Sequence, residues 1–157
     1  MSWSLDVASA ADIDDLMTWF PDAHSVDIWG GPRFRYPFDR ESFHEDCRWH
    51  EYTSYCLRDP GAHFRAFGQM GLRYQRSHLA RLVVRPDSRG QGIGRRLLEM
   101  MINAARELQD CDEVALFVYK HNEPAYQCYL KMGFTVQAYP DDAPMADKCF
   151  YLARPVD

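Results

Sequence analysis

The sequence predicts an α/β or α+β fold: a mixed, mostly antiparallel sheet of about seven strands flanked by about four helices. Three observations carry this. A strand and a helix open the chain, three adjacent strands joined by tight turns fill its middle, and helices then alternate with strands to the end.

Trp3, Leu5 and Val7 alternate with polar neighbours, which predicts the first strand. Ser9-x-x-Asp12 forms a capping box, and Ile13, Leu16, Met17 and Phe20 recur at helical spacing until Pro21 ends the run. Trp29-Gly30-Gly31-Pro32 predicts a tight turn, and residues 40–50 a short second helix. Asp59-Pro60-Gly61 separates strands expected at 52–58 and 62–75, and a third strand follows at about 78–85. From Gly92 the pattern becomes Leu97, Leu98, Met101, Ile102, Ala105 and Leu108, an apolar stripe on a helix of about four turns. The apolar run 114–119 predicts a buried strand. Ala125, Cys128, Tyr129 and Met132 define a short helix stopped by Gly133, and Phe134–Ala138 pairs with Cys149–Ala153 as a final strand pair.

At 157 residues and 18.3 kDa, with no repeat, linker or low-complexity tract, residues 1–157 are read as one domain. Hydrophobic content of 46% with 26% charged residues excludes a wholly disordered chain. No apolar run approaches the ~20 residues of a membrane span, and the first residues form no signal peptide, so the expected location is cytoplasmic. Five cysteines without a C-x-x-C pair indicate neither a disulfide framework nor a zinc ribbon and suit a reducing compartment. The net charge of −5 argues against a nucleic-acid partner, yet it is uneven: residues 61–109 carry 9 basic and 3 acidic side chains, residues 1–60 carry 5 and 12. A basic middle in an acidic chain suggests one local anionic ligand.

The most informative stretch runs from Val83 to Arg96 and contains Gly90, Gly92 and Gly94 at alternate positions. Glycine removes the Cβ atoms that hold a ligand off the backbone, and the helix that follows points its free N–H groups into the gap. Phosphate oxygens bind at such places. Arg89, Arg95 and Arg96 add positive charge. A P-loop is excluded because no lysine precedes residue 120, and a dinucleotide fingerprint because Arg95 stands where its third glycine belongs.

Arg89-x-x-Gly92-x-Gly94, after a strand and opening a helix, resembles the acyl-CoA loop of the GNAT superfamily of N-acyltransferases. Asn122-x-x-Ala125-x-x-x-Tyr129-x-x-x-Gly133-Phe134 is similar to that family's later segment. The resemblance covers residues 78–138. It implies a GNAT-like sheet split between strands 4 and 5, with pantetheine lying in the split like an added strand. It also implies that backbone groups of Leu82 and Val84 hold the pantetheine arm and those of Arg89, Gly90, Gln91, Gly92, Gly94 and Arg95 the pyrophosphate. Asn122 would touch the cofactor or cap the next helix.

The implied activity is transfer of an acetyl group from acetyl-CoA to a primary amine by direct attack in a ternary complex, without a metal. The alternative is a non-catalytic acyl-CoA-binding or regulatory module. Tyr129 matches the family's general acid. His78 stands where some members place a glutamate on the fourth strand, and histidine titrates near neutrality, so it is the first candidate base; His121 is the second. Phe117 occupies a position that is a carboxylate in other relatives and cannot serve as a base. His44, Cys47 and His50 at three-residue steps lack a fourth ligand, and no metal is expected. Trp29, Phe34, Tyr36 and Phe38 form either a lid over the acceptor or ordinary core. The acidic first third favours a cationic acceptor, and exchange of C-terminal strands, common in the family, would make a homodimer.

Overall fold

Capping chemistry shapes the N-terminal third of the computed structural model, which describes residues 2–108 and 110–157. Strand β1 (Ser4–Val7) leads into α1 (Ala10–Met17), whose Ser9–Asp12 capping box forms as the sequence predicts. Asp22 and Ser25 form a second such box at α2 (Ala23–Gly30), and Asp39 and Ser42 a third at α3 (Arg40–Asp46). The sequence predicts α3 but a turn where the C-terminal end of α2 lies. Only Val26 of α2 is buried, so the apolar period that reveals a helix is missing there. Its signal was the Asp22-x-x-Ser25 box directly after Pro21. Gly31 closes this helix with a φ of 89°, and Gly30 before it leaves room for the Phe34 ring, which a Cβ there would meet at 2.5 Å.

The meander follows: β2 (Thr53–Arg58), β3 (Phe64–Arg73) and β4 (Arg76–Val84), each antiparallel to the one before. A 3-10 turn (Pro86–Ser88) and the glycine segment lead to α4 (Ile93–Leu108), which buries Leu97, Leu98, Met101, Ile102 and Ala105. Then come β5 (Glu113–Tyr119), α5 (Glu123–Lys131), β6 (Thr135–Val136) and β7 (Cys149–Pro155). The order across the sheet is β1-β2-β3-β4-β5-β7-β6, and β4–β5 is its one parallel pair. The fold is therefore the mixed, mostly antiparallel seven-stranded sheet expected, with five helices rather than about four.

The sheet separates two apolar layers. On one face, Leu57, Met70, Leu79, Leu116 and Leu152 pack under α4, with Leu82, Val84 and Tyr129 at the margin of this cluster. On the other, α1, α2 and α3 place Ile13, Leu16, Val26 and Phe43 over Cys56 and Phe67. Each fully buried side chain of this size contributes about 1.5–3 kcal/mol.

Two departures from regular pairing position the site. First, β4 and β5 pair only at Ser77↔Val114 and His78↔Ala115, so the strands part beyond His78, and among the described residues no strand lies beside Leu79–Val84 on that side. Second, β4 carries a bulge. Phe67 pairs with Val83 and Gln69 with Ala80, so Arg81 and Leu82 oppose the single residue Gly68. Arg81 takes φ of 50°, a left-handed backbone uncommon for a side chain of its size. The extra residue turns Arg81 onto the face of His78 and Gln69, while Leu82 returns to the α4 face.

Candidate active site

A cavity of about 1040 Å³ fills the gap between β4 and β5. Leu82, Val84 and Arg89 line one end of it, Asn122, Ala125 and Tyr129 one side, and His78, Arg81 and Phe117 its floor. The split thus brings together residues from both halves of the sequence motif.

The glycine segment is ready for an anion. Gly90 and Gly92 have φ of 78° and 76°, and a Cβ on either would meet nothing within 4 Å, so glycine is required there by backbone conformation and not by crowding. Gly94 differs: its φ is not positive, and an added Cβ would make only ordinary contact with Val84 at 3.5 Å. Gly92 accepts the Arg96 N–H at 3.2 Å but has no side chain with which to cap α4. The first N–H groups of a 16-residue helix therefore face the loop, with the positive end of its dipole behind them.

The arginines around this loop are used unequally. Arg95 pairs with Glu99 at 3.2 Å, Arg96 lies over the Trp3 ring at 4.8 Å, and exposed Arg89 reaches the Val84 carbonyl at 3.4 Å. Gln91 is exposed beside them. Asn122 precedes α5 but makes no capping hydrogen bond, so its side chain is left to the cavity that it lines.

Tyr129 packs 5.8 Å from the Phe134 ring, and burial pushes its phenol up to about 12. It therefore keeps its proton and can donate a hydrogen bond. His78 is buried on the opposite face, 5.1 Å from the Phe117 ring. Burial, reinforced by the positive charges of Arg73, Arg81 and Arg48, pulls it down to about 3. It is neutral at any physiological pH, and its Nδ1 has no hydrogen-bond partner among the described residues. His121 is exposed and stacks on the Tyr119 ring at 4.9 Å, beside a smaller pocket lined by Asp27, Lys120 and Lys148.

Residues that the sequence reading did not single out complete the cavity's far end. Tyr52 is buried, and two guanidinium groups lie over its ring: Arg81 at 5.4 Å and Arg48 at 5.7 Å. A third, Arg73, donates to the Tyr52 hydroxyl at 3.3 Å and to that of Tyr74 at 3.0 Å. Arg81 donates to Gln69 Oε1 at 2.9 Å, while its Nε is buried without a partner, and burial pulls its guanidinium below the ordinary value. Trp29 donates through its indole N–H to the Arg81 carbonyl at 2.7 Å and stacks on Phe20 at 4.4 Å. Phe34 and Phe38 pack on Phe43 as core, so of the four aromatics weighed as a lid only Trp29 lines the cavity.

His44 packs against Trp49 with the rings tilted at 47°, Cys47 is fully buried and His50 is exposed, and burial pushes the Cys47 thiol up to about 12. Among the described residues no three His, Cys, Asp or Glu side chains are placed to hold a metal ion. No helix among them is long and apolar enough to cross a membrane.

Residues 14–134 match the family model described as the acetyltransferase (GNAT) family. Among solved structures, the chain is similar to spermidine N-acetyltransferase from Vibrio cholerae in complex with CoA and spermine, at a TM-score of 0.78 and 13% identity, covering 98% of this chain and 95% of that one. It is also similar to the ribosomal-protein-S18-alanine N-acetyltransferase from Escherichia coli, at 0.67 and 20%, covering 98% and 94%. At these identities the two structures speak for the fold, and the family model for the kind of chemistry.

Proposed function

Because the chain belongs to the GNAT acetyltransferase family, we propose that it moves the acetyl group of acetyl-CoA to a primary amine by direct attack, both substrates being bound at once. The observation that carries this reading is the split: β4 offers an open backbone edge that ends at Gly90–Gly94 and the N-terminus of α4. The residues fit the cofactor. Main-chain groups of Leu82 and Val84 would hold the pantetheine arm, and those of Arg89, Gly90, Gln91, Gly92, Gly94 and Arg95 the pyrophosphate. Asn122, not used as a cap, would hold the arm from the α5 side. When bound, acetyl-CoA supplies an activated thioester.

The amine must react neutral, yet at a pKa of about 10.4 only about one part in 2,500 is neutral at pH 7, which leaves about 4.6 kcal/mol to be supplied. Three arginines beside His78 supply part of it, because positive neighbours favour the uncharged amine. A neutral imidazole keeps one accepting nitrogen, and with it His78 would accept a hydrogen bond from that amine; so weak a base passes the proton on to water instead of keeping it. Tyr129 donates a hydrogen bond to the departing sulfur. Its phenol lies above a thiol of roughly 8.5, so it stabilises the thiolate more than it protonates it.

The five cysteines, all free, suit the cytoplasm, and residues 1–157 would act as one catalytic domain. The outer edge of β7, paired with β6 at only two positions, is where a second subunit would add a strand; a monomer in sedimentation would remove that dimer.

Calorimetry with CoA, followed by acetyl-CoA consumption against a panel of amines, tests the reading. Binding with turnover supports it, binding without turnover on any amine favours the non-catalytic module, and absence of binding ends both. The pH profile of kcat/KM should show no His78 inflection between pH 5.5 and 8. An inflection near 6.5 that disappears in His78→Gln would make His78 a proton-holding base after all.

A further inference from the structure

The cavity in the split has two ends, and only one of them is explained by a cofactor. Past the point where β4 and β5 part, its wall includes Arg73, Arg81 and His78, and among the described residues no aspartate or glutamate lines it anywhere. The net charge of −5 hides this, but the basic stretch 61–109, which contains Arg73 and Arg81, agrees with it.

The acids nearest these arginines are turned elsewhere. Asp46 accepts from the Arg35 backbone N–H at 2.9 Å and from its side chain at 3.0 and 3.1 Å. Glu51 is held by Arg48. Among the described residues neither Arg73 nor Arg81 forms an ion pair: Arg73 meets two tyrosine hydroxyls, and Arg81 meets an amide oxygen and the Tyr52 ring. A guanidinium whose Nε is buried without a partner, next to two more positive charges, is a costly arrangement that an anion would relieve. The fold maintains it deliberately, through a bulge and a left-handed backbone at Arg81 that Trp29 fixes by its hydrogen bond to the Arg81 carbonyl. A planar guanidinium recognises a carboxylate through two parallel hydrogen bonds.

We infer that the acceptor amine also bears a carboxylate, an amino acid in type, with its carboxylate on Arg81 and Arg73 and its amine beside His78. This rests on the acetyltransferase reading above. The walls around these groups are aromatic, with Trp29, Tyr52 and Phe117 among them, so a side chain with an apolar ring suits the space. A polyamine, which would bring several positive charges against three arginines, does not.

The test compares L-phenylalanine, its amide and phenethylamine as acceptors at saturating acetyl-CoA, with spermidine alongside. Binding of each to the CoA complex is measured by calorimetry. CoA binding alone decides the underlying reading, and without it this inference falls too. With CoA bound, the carboxylate form should exceed the decarboxylated amine by about 10- to 100-fold in kcat/KM, the range expected for hydrogen bonds to a charged group. In Arg81→Gln that ratio should fall towards one while CoA affinity holds. Arg73→Gln, which leaves the bulge untouched, should lower the ratio less and serves if the first variant does not fold. Preference for spermidine or phenethylamine, no binding of the carboxylate form, or an equal loss of kcat for every acceptor in Arg81→Gln would overturn the inference. The last result would mean that Arg81 stabilises the reacting carbonyl oxygen instead.

Discussion

The two ends of the split are built from different materials. The α4 end offers main chain: two glycines held at positive φ, a helix start without a side-chain cap, and arginines occupied elsewhere or open to water. The other end offers side chains: Tyr52, Arg73, His78 and Arg81 come from three strands and their flanks, and among the described residues no carboxylate pairs with the histidine or with either arginine. The first end depends on a backbone that glycine allows, with no side chain of its own at the turn. The second depends on four side chains that the β4 bulge brings together. Substitutions should therefore fail in different ways at the two ends.

Between the ends stands Tyr129, and the largest effect is expected there. Tyr129→Phe should lower kcat by about 100-fold, at the low end of what a positioned proton donor contributes, with CoA affinity within twofold of wild type. Stopped-flow turnover with calorimetry measures both, and an undiminished kcat would move the departing sulfur away from α5.

Stability in acid should distinguish the far end next. His78 takes up its proton near 6.5 in the unfolded chain but only near 3 in the folded one, so the unfolded chain binds more protons throughout that window. Stability is fully present above the unfolded value and falls as pH drops, at about 1.4 kcal/mol per pH unit. Urea titrations at pH 7 and 5 should differ by about 2 kcal/mol more in wild type than in His78→Gln. Equal differences would show that His78 is solvated, and the arginine cluster around it with it.

The glycines give the smallest changes and the clearest contrast. Gly90→Ala must keep a left-handed backbone and should cost about 1–2 kcal/mol of stability. Gly94→Ala sits in helix with room for its methyl and should gain up to about 1 kcal/mol. Both should weaken CoA binding, by about 10-fold, if the pyrophosphate rests on these amides, since a lost or lengthened charged hydrogen bond is worth that much. Undiminished affinity in Gly94→Ala would show that the phosphates keep clear of α4.

Much of this was legible in residue order. Capping boxes, the 3.6-residue stripe of α4 and the Asp59-Pro60-Gly61 turn are local devices, and local devices can be read one stretch at a time. The α2 helix escaped because it buries a single apolar residue, and so did the shortness of β6. His78 was noticed for its residue type and its place before Arg89; its neutrality was not visible, because burial and the charges that enforce it come from Arg48, Arg73 and Arg81. The expectation of a cationic acceptor came from counting acids in the first third. Most of those acids form caps or pair with arginines such as Arg35, Arg40 and Arg58, while Asp27 lines the smaller pocket.

By itself, then, the sequence determined the order of strands and helices, the glycine segment between β4 and α4, and through these the family and its cofactor: each depends on backbone conformation over a few consecutive residues. Only the tertiary structure decided what lines the far end of the cavity. Side chains on a strand alternate between its faces, so a single extra residue at the β4 bulge moves Arg81 from beneath α4 to the side of His78, and the pairing of three strands then brings Tyr52 and Arg73 against it. No local pattern records that displacement, because it arises from a mismatch in register between two strands.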